Sequence, residues 1–208
     1  MDKREEILKL VAEYINEKHT TKTWIPGKDW VQYSGPYFDS SEYIRAISTL
    51  LDEWLILGRD AIEFEKKFPP LLGKKYGVVT NSGSSANLLM IAAILSNNKY
   101  NKHIIVPAAG FPTTINPLIQ LGCYPVFVDI ELDTLNLNLD QLEYAAIQTS
   151  SKHLTFAHVL GNPPNMDKVM EIVNRRGLTL LEDCCDGLGS TYNEKLLGGF
   201  GRFATCSF

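Results

Sequence analysis

The sequence predicts an α/β protein with a mainly parallel sheet covered by helices on both faces, and three observations carry that prediction. From Arg59 onward, short β-rich runs ("YGVVT", "HIIV", "YPVFVD", "HLTFA", "LTLLED" and "FATCSF") alternate, for the most part, with helical stretches. Parallel neighbours need crossover connections of that kind. Polar and glycine residues gather just after these runs, at the strand ends where open α/β sheets bind ligands. The chain has 208 residues, 45% hydrophobic and 21% charged, which is enough to bury one substantial core.

The elements follow in order. Ile7, Leu8, Val11, Tyr14 and Ile15 recur at helical spacing, and Thr20–Thr23 is expected to close that first helix. "WIPGKDWVQYSGPYFDSS" mixes Pro26, Gly27, Gly35 and Pro36 with Trp24, Trp30, Tyr33, Tyr37 and Phe38, so it reads as a loop whose aromatics pack across a body or a partner. Asp39, followed three residues later by Glu42, predicts a capping box opening a helix that carries Tyr43, Ile44, Ile47, Leu50, Leu51 and Trp54 and ends at Gly58. Residues 1–57 therefore form N-terminal helices and an aromatic-rich arm, and residues 58–208 form the sheet domain. "STYNEKLLGGF" lacks helical periodicity and predicts a hairpin or an excursion between the last two strands.

Several function classes are disfavoured. The formal charge of −4 comes with no basic stripe to neutralise phosphates, which argues against nucleic acid. The longest apolar run, Leu88–Leu95, is too short to cross a bilayer, and "MDKREEIL" has no apolar signal core behind its charges. A cytoplasmic protein is expected. Four cysteines, with Cys184 and Cys185 adjacent, match neither a secreted disulfide framework nor a CxxC zinc site, so free thiols are expected.

The strand ends hold the candidate site. Asn81-Ser82-Gly83-Ser84-Ser85 follows "YGVVT" and precedes a helix. Such a segment is most often a turn with a cap, but its unpaired N–H groups and positive helix end also suit an anion, with the Ser84 and Ser85 hydroxyls as further donors. Asp183 ends "LTLLED"; as a carboxylate it is either a cap or an acceptor for a protonated ring nitrogen. Phe111 follows "HIIVPAAG", His158 follows "HLTFA", and Ser207 closes "FATCSF". Core filling is the ordinary role of such a phenylalanine, and a satisfied structural role that of such a histidine.

Taken together and in order, "TNSGSSANLLMIAAIL", "PAAGFPTTINPLIQLGCYPVFVDI", "AHVLGNPPNMDKV", "LLEDCCDGLGSTY" and "FATCSF" resemble the pyridoxal-phosphate-dependent sugar aminotransferases and dehydratases named after DegT, DnrJ, EryC and StrS. The resemblance runs from about Gly58 to Phe208. It implies the aspartate-aminotransferase type of fold (fold type I), a homodimer with sites near the subunit interface, and pyridoxal or pyridoxamine 5'-phosphate as cofactor. It puts the cofactor phosphate on Gly83 and Ser84, with Ser207 as a further phosphate contact. Phe111 would stack on the pyridine ring and Asp183 would pair with its nitrogen. A carboxylate there keeps the ring protonated and so an electron sink.

Two features resemble the 3-dehydratase branch, which acts on nucleotide-linked 4-keto-6-deoxyhexoses in deoxysugar and lipopolysaccharide biosynthesis. Asp186 stands where aminotransferases usually carry glutamine, and both "AHVLGNPPNM" and "GKDWVQYSGPYFD" look like dehydratase segments. In that branch pyridoxamine phosphate condenses with the C4 ketone, and a histidine in place of the usual lysine removes a proton to expel the C3 hydroxyl. The type acting on CDP-4-keto-6-deoxyglucose also carries a [2Fe–2S] cluster and works with a reductase. Cys185 matches the first of the four ligating cysteines; Cys123 and Cys206 do not match and read as buried apolar thiols, and Cys184 as a small turn residue. The family's lysine or histidine lies a few residues beyond the position of Ser207. Lys195, in the expected hairpin, does not take that role, so the catalytic position is absent and the chain is expected to be an N-terminal half without turnover of its own. A sugar-nucleotide aminotransferase and a non-catalytic binding or dimerising remnant are the alternatives.

Overall fold

The computed structural model describes residues 2–19, 24–31, 35, 38–97 and 101–208. The expected stop at Thr20–Thr23, and Tyr33, Pro36 and Tyr37 of the lead-in, lie outside these. The chain divides into two compact units, Met1–Ile62 and Glu63–Phe208.

In the first unit, α1 (Lys3–His19) packs on α2 (Ser40–Leu51). Arg4 joins them, donating from Nη2 to the Ser48 carbonyl and hydroxyl at 2.9 Å each and to Asp52 Oδ1 at 2.6 Å. The capping box is present: Asp39 accepts from the Ser41 N–H and backbone N–H of the first turn, and the Glu42 side chain accepts from the Asp39 N–H. The helix ends earlier than the apolar spacing suggests, at Leu51 rather than at Gly58. Asp52 caps it, and Glu53 turns left-handed at φ 57°, so Trp54 falls outside the helix. Of the lead-in's aromatics among the described residues, Trp24 and Phe38 are exposed, and Trp30 is 85% exposed.

The second unit holds a five-stranded sheet in the order β2-β1-β3-β4-β7. Its strands are β1 (His103–Pro107), β2 (Tyr124–Val128), β3 (His153–Ala157), β4 (Thr179–Asp183) and β7 (Phe203–Thr205), and every described pairing among them is parallel. Helix α4 (Gly83–Asn97) leads into β1, and α5 (Pro112–Gln120), α6 (Leu139–Gln148) and α7 (Met166–Arg176) supply the crossovers from β1 to β2, β2 to β3 and β3 to β4. Because both faces are covered, the central strands are apolar without alternation. Leu181, Ile104 and Val106 join a core with Met90, Ile91 and Ile94 of α4 and Leu118 of α5. Leu180, Ile105, Leu154 and Phe156 join a second core with Leu142 of α6 and Met166, Val169 and Val173 of α7.

One expected strand is missing: residues 76–80 ("YGVVT") form no ladder among the described residues. Their Val79 N–H instead donates to Glu65 Oε1 at 2.7 Å. A run with high strand propensity becomes a strand only where another backbone pairs with it. The hairpin does form. β5 (Thr191–Tyr192) and β6 (Lys195–Leu196) pair antiparallel across Asn193 and Glu194, both at positive φ as a tight two-residue turn requires. Lys195 is exposed there, its Nζ 4.4 Å from the Phe200 ring centroid.

Candidate functional site

The register places Ala157 beside Asp183 and Asp183 beside Thr205, so three strands end level. Two helix N-termini, those of α4 and α5, open over this edge. At α4, Ser82 Oγ accepts the Ser85 N–H at 3.1 Å in the manner of an N-cap. The Gly83 and Ser84 N–H groups, the first of the helix, have no acceptor among the described residues. A Cβ on Gly83 would lie 2.8 Å from Cys185 Sγ, 3.0 Å from Ser207 Cβ and 3.3 Å from Ser207 Oγ. Glycine is thus what lets the helix start close against the ends of β4 and β7. Gly83, Cys185 and Ser207, far apart in the chain, meet at one point.

Asp183 lies next to that point. It is 2% exposed, and its carboxylate is held from three sides. Oδ2 accepts from Asn87 Nδ2 and from Thr114 Oγ1, each at 2.8 Å, while Oδ1 accepts the Cys185 N–H at 3.2 Å, and the Cys185 thiol also bonds the carboxylate. Asn87 in turn accepts from Thr205 Oγ1 at 2.6 Å. Asn87 stands four residues along α4 from Gly83, about 6 Å of axial rise. The same helix thus presents its free N–H groups at its start and, about one turn on, the amide that holds the Asp183 carboxylate.

Phe111 is the N-cap residue of α5 and is 63% exposed. Its carbonyl accepts the Thr114 N–H at 3.0 Å, so one turn of α5 carries both the exposed ring and a ligand of Asp183. No contact ties the Phe111 ring to Gly83 or Ser207. Ser84 is exposed and Ser207 half-buried.

The thiols around the site are held protonated. Burial, then the charge of Asp183, pushes Cys185 far up, and burial with the charges of Asp183 and Glu182 pushes Cys206 up to about 11. Cys184 is raised further still, mainly by burial. Cys123 is buried as expected, whereas Cys206 is only half-buried.

Glu182 points to the opposite face of β4 from Asp183. It is fully buried, and accepts from the Gly198 N–H at 2.9 Å, the Gly201 N–H at 2.5 Å and His158 Nε2 at 3.1 Å. Burial alone would raise its carboxyl, but the bonds from His158, Gly201 and Gly198 outweigh this and leave it below the ordinary carboxylate value. His158, Glu182 and Cys184 also bring their donor atoms within 4.8 Å of one another, close enough to share a metal ion. With three hydrogen-bond donors already on its carboxylate, Glu182 is instead a clamp that fastens the hairpin segment to the sheet. His158 is buried against Glu182 through Nε2, but it is not the fully satisfied histidine expected, since its buried Nδ1 has no partner among the described residues.

Asn87, Thr114, Thr205 and Glu182 were not singled out by the sequence reading. One signal was available: Asn87 is an amide within the apolar run of α4.

Residues 38–208 match the sequence model of the DegT/DnrJ/EryC1/StrS aminotransferase family. The chain is 42% identical over 211 residues to the lipopolysaccharide biosynthesis protein RfbH of Salmonella typhimurium, covering 99% of this chain and 48% of that protein. Among solved structures, Escherichia coli GDP-4-keto-6-deoxy-D-mannose-3-dehydratase with bound hydrated PLP is 38% identical, with a TM-score of 0.75 over 81% of this chain and 44% of that one. Helicobacter pylori PseC, an aminotransferase of pseudaminic acid biosynthesis, is 28% identical, with a TM-score of 0.78 over 85% of this chain and 47% of that one. The chain spans about half the length of the curated relatives it matches. Its fold is that of the PLP-dependent aminotransferases, and among the described residues no helix is long and apolar enough to cross a membrane. Fold, motif order and sequence agree: the chain belongs to the DegT/DnrJ/EryC1/StrS aminotransferase family.

Proposed function

We propose that the chain supplies the cofactor pocket of a 3-dehydratase acting on a nucleotide-linked 4-keto-6-deoxyhexose, with pyridoxal or pyridoxamine 5'-phosphate as cofactor. The observation that carries this reading is the meeting of Gly83 and Ser207 at the start of α4, the helix whose Asn87, one turn on, holds the buried carboxylate of Asp183. The free N–H groups of Gly83 and Ser84, with the Ser207 hydroxyl, suit a phosphate dianion at a positive helix end. Asp183 Oδ1, with a lone pair to spare, holds the proton of the ring nitrogen. Phe111, exposed on the first turn of α5, covers the ring face and excludes water from it. When bound, the cofactor supplies an electron sink for negative charge developing beside its amine. Nucleotide-sugar binding and a homodimer belong to the same reading, by analogy with the relatives.

A [2Fe–2S] cluster needs four thiolate ligands. Cys185 is this chain's candidate for one of them. Among the described residues no four cysteines converge. A cluster, and the reductase partner that would go with it, therefore draw no support from the described residues.

Titration of the chain with pyridoxal and pyridoxamine phosphates, followed by absorbance, tests the pocket. Binding that weakens at least about tenfold in Asp183→Ala supports it, since a charge-assisted hydrogen bond is worth about 1.5–3 kcal/mol. Equal binding by both proteins removes Asp183 from this role. The second reading, a sugar aminotransferase, draws on the likeness to PseC. Mass spectrometry of the product made by the complete enzyme separates the two: dehydration removes the C3 oxygen, whereas transamination leaves nitrogen on C4.

A further inference from the structure

Asp183 has two oxygens, and the protein treats them differently. Both lone pairs of Oδ2 are engaged, one by the Asn87 amide and one by the Thr114 hydroxyl. Oδ1 takes a longer bond from the Cys185 N–H, and the weakly donating Cys185 thiol lies against the same carboxylate. The Asn87 amide is itself set by the Thr205 hydroxyl on its oxygen, which leaves its NH2 facing Asp183. Asn87, Thr114, Thr205 and Asp183 come from α4, α5, β7 and β4, and all four are buried. A purely mechanical tie among these elements would not need the Asn87 and Thr114 donors both aimed at the same oxygen of one carboxylate.

We infer that Asn87, oriented by Thr205, and Thr114 are positioning residues that lock the Asp183 carboxylate so that Oδ1 alone faces the pyridine nitrogen. The inference rests on the proposed function for the identity of the ligand. None of the three touches the reacting atoms. They act through Asp183, by fixing the plane of its carboxylate and by holding it as an acceptor toward the ring. A carboxylate fixed in this way meets the ring nitrogen without first reorganising.

The test uses Thr114→Val and Asn87→Leu, each close in volume to the residue it replaces, with Thr114→Ser as the variant that keeps the hydroxyl. Two readouts are taken. In ligand-free crystal structures, the wild type and Thr114→Ser should show one carboxylate orientation, and Thr114→Val and Asn87→Leu a rotated or split one. With pyridoxal phosphate, each of those two variants should bind on the order of tenfold more weakly. The absorbance transition that reports loss of the ring-nitrogen proton should also fall to lower pH, while Thr114→Ser tracks the wild type. An unrotated Asp183 in both folded variants, or an unshifted transition, overturns the inference. If the wild type fails to bind pyridoxal phosphate while the variants still rotate Asp183, the orienting role stands and the cofactor reading falls. Should Asn87→Leu not fold, Thr114→Val alone decides by the same two readouts.

Discussion

Replacing Gly83 by alanine probes the point where the cradle is assembled. Gly83 is not among the glycines at positive φ, so alanine meets no backbone strain there and the effect is one of packing. The new methyl would sit 2.8 Å from Cys185 Sγ and 3.0 Å from Ser207 Cβ, both well inside ordinary van der Waals contact. Forcing a methyl into a packed site costs about 1–3 kcal/mol. The higher helix propensity of alanine returns under about 1 kcal/mol, and less at a first helical position. A net loss of about 1–2 kcal/mol follows. The contact with Cys185 should account for much of it, so in a Cys185→Ala background the same substitution should be milder by about 1 kcal/mol. Urea denaturation of the four proteins of this cycle measures both quantities at constant m-value. Gly83→Ala as stable as the wild type, or equally damaging with and without the Cys185 sulfur, would refute the proposed contact.

Other substitutions and conditions separate the parts of the account. Glu182→Gln puts an NH2 in place of one of the two oxygens, against either the Gly201 N–H or the Gly198 N–H and His158 Nε2. It should lower stability by about 2–4 kcal/mol in thermal or urea unfolding, since buried donors are left unpaired; an unchanged midpoint would contradict the clamp. Phe111→Ala should leave stability within about 0.5 kcal/mol, because the ring is exposed. It should still weaken pyridoxal phosphate binding several-fold through lost stacking, worth about 1 kcal/mol, and undiminished affinity would remove Phe111 from the site. His153 is buried with neither ring nitrogen hydrogen-bonded, and burial lowers its pKa from the ordinary 6.5. Above pH 6.5 it is neutral in both states and its contribution is fully present. As pH falls below that value the unfolded chain binds the proton first, so stability declines until the folded-state pKa is passed. His153→Phe should flatten this part of the stability–pH curve, and an equally steep decline would assign it to other groups.

The α/β architecture was legible because parallel strands buried on both faces read as short apolar runs separated by helices. The tight turn at Asn193–Glu194 and the capping box at Asp39–Glu42 were legible for the same reason: both are written in neighbouring residues. What pairing decides was not. "YGVVT" has strand composition, but a ladder requires a second backbone, which residues 76–80 do not find among the described residues. The end of α2 depends on Asp52, whose carboxylate is held by Arg4, 48 positions away. The strand-end residues could be named from sequence, yet the residues that hold Asp183 could not. Its bonds to Asn87 and Thr114 join positions 96 and 69 residues apart, and only the folded sheet brings them together. An amide inside the apolar helix α4 marks Asn87 as unusual without indicating its partner.

A crystal structure of the chain with pyridoxal phosphate tests the central claim most directly. The account predicts the phosphate on the Gly83 and Ser84 N–H groups and Ser207 Oγ, with the ring nitrogen on Asp183 Oδ1. Phosphate density anywhere else, or a ring turned away from Asp183, would contradict it.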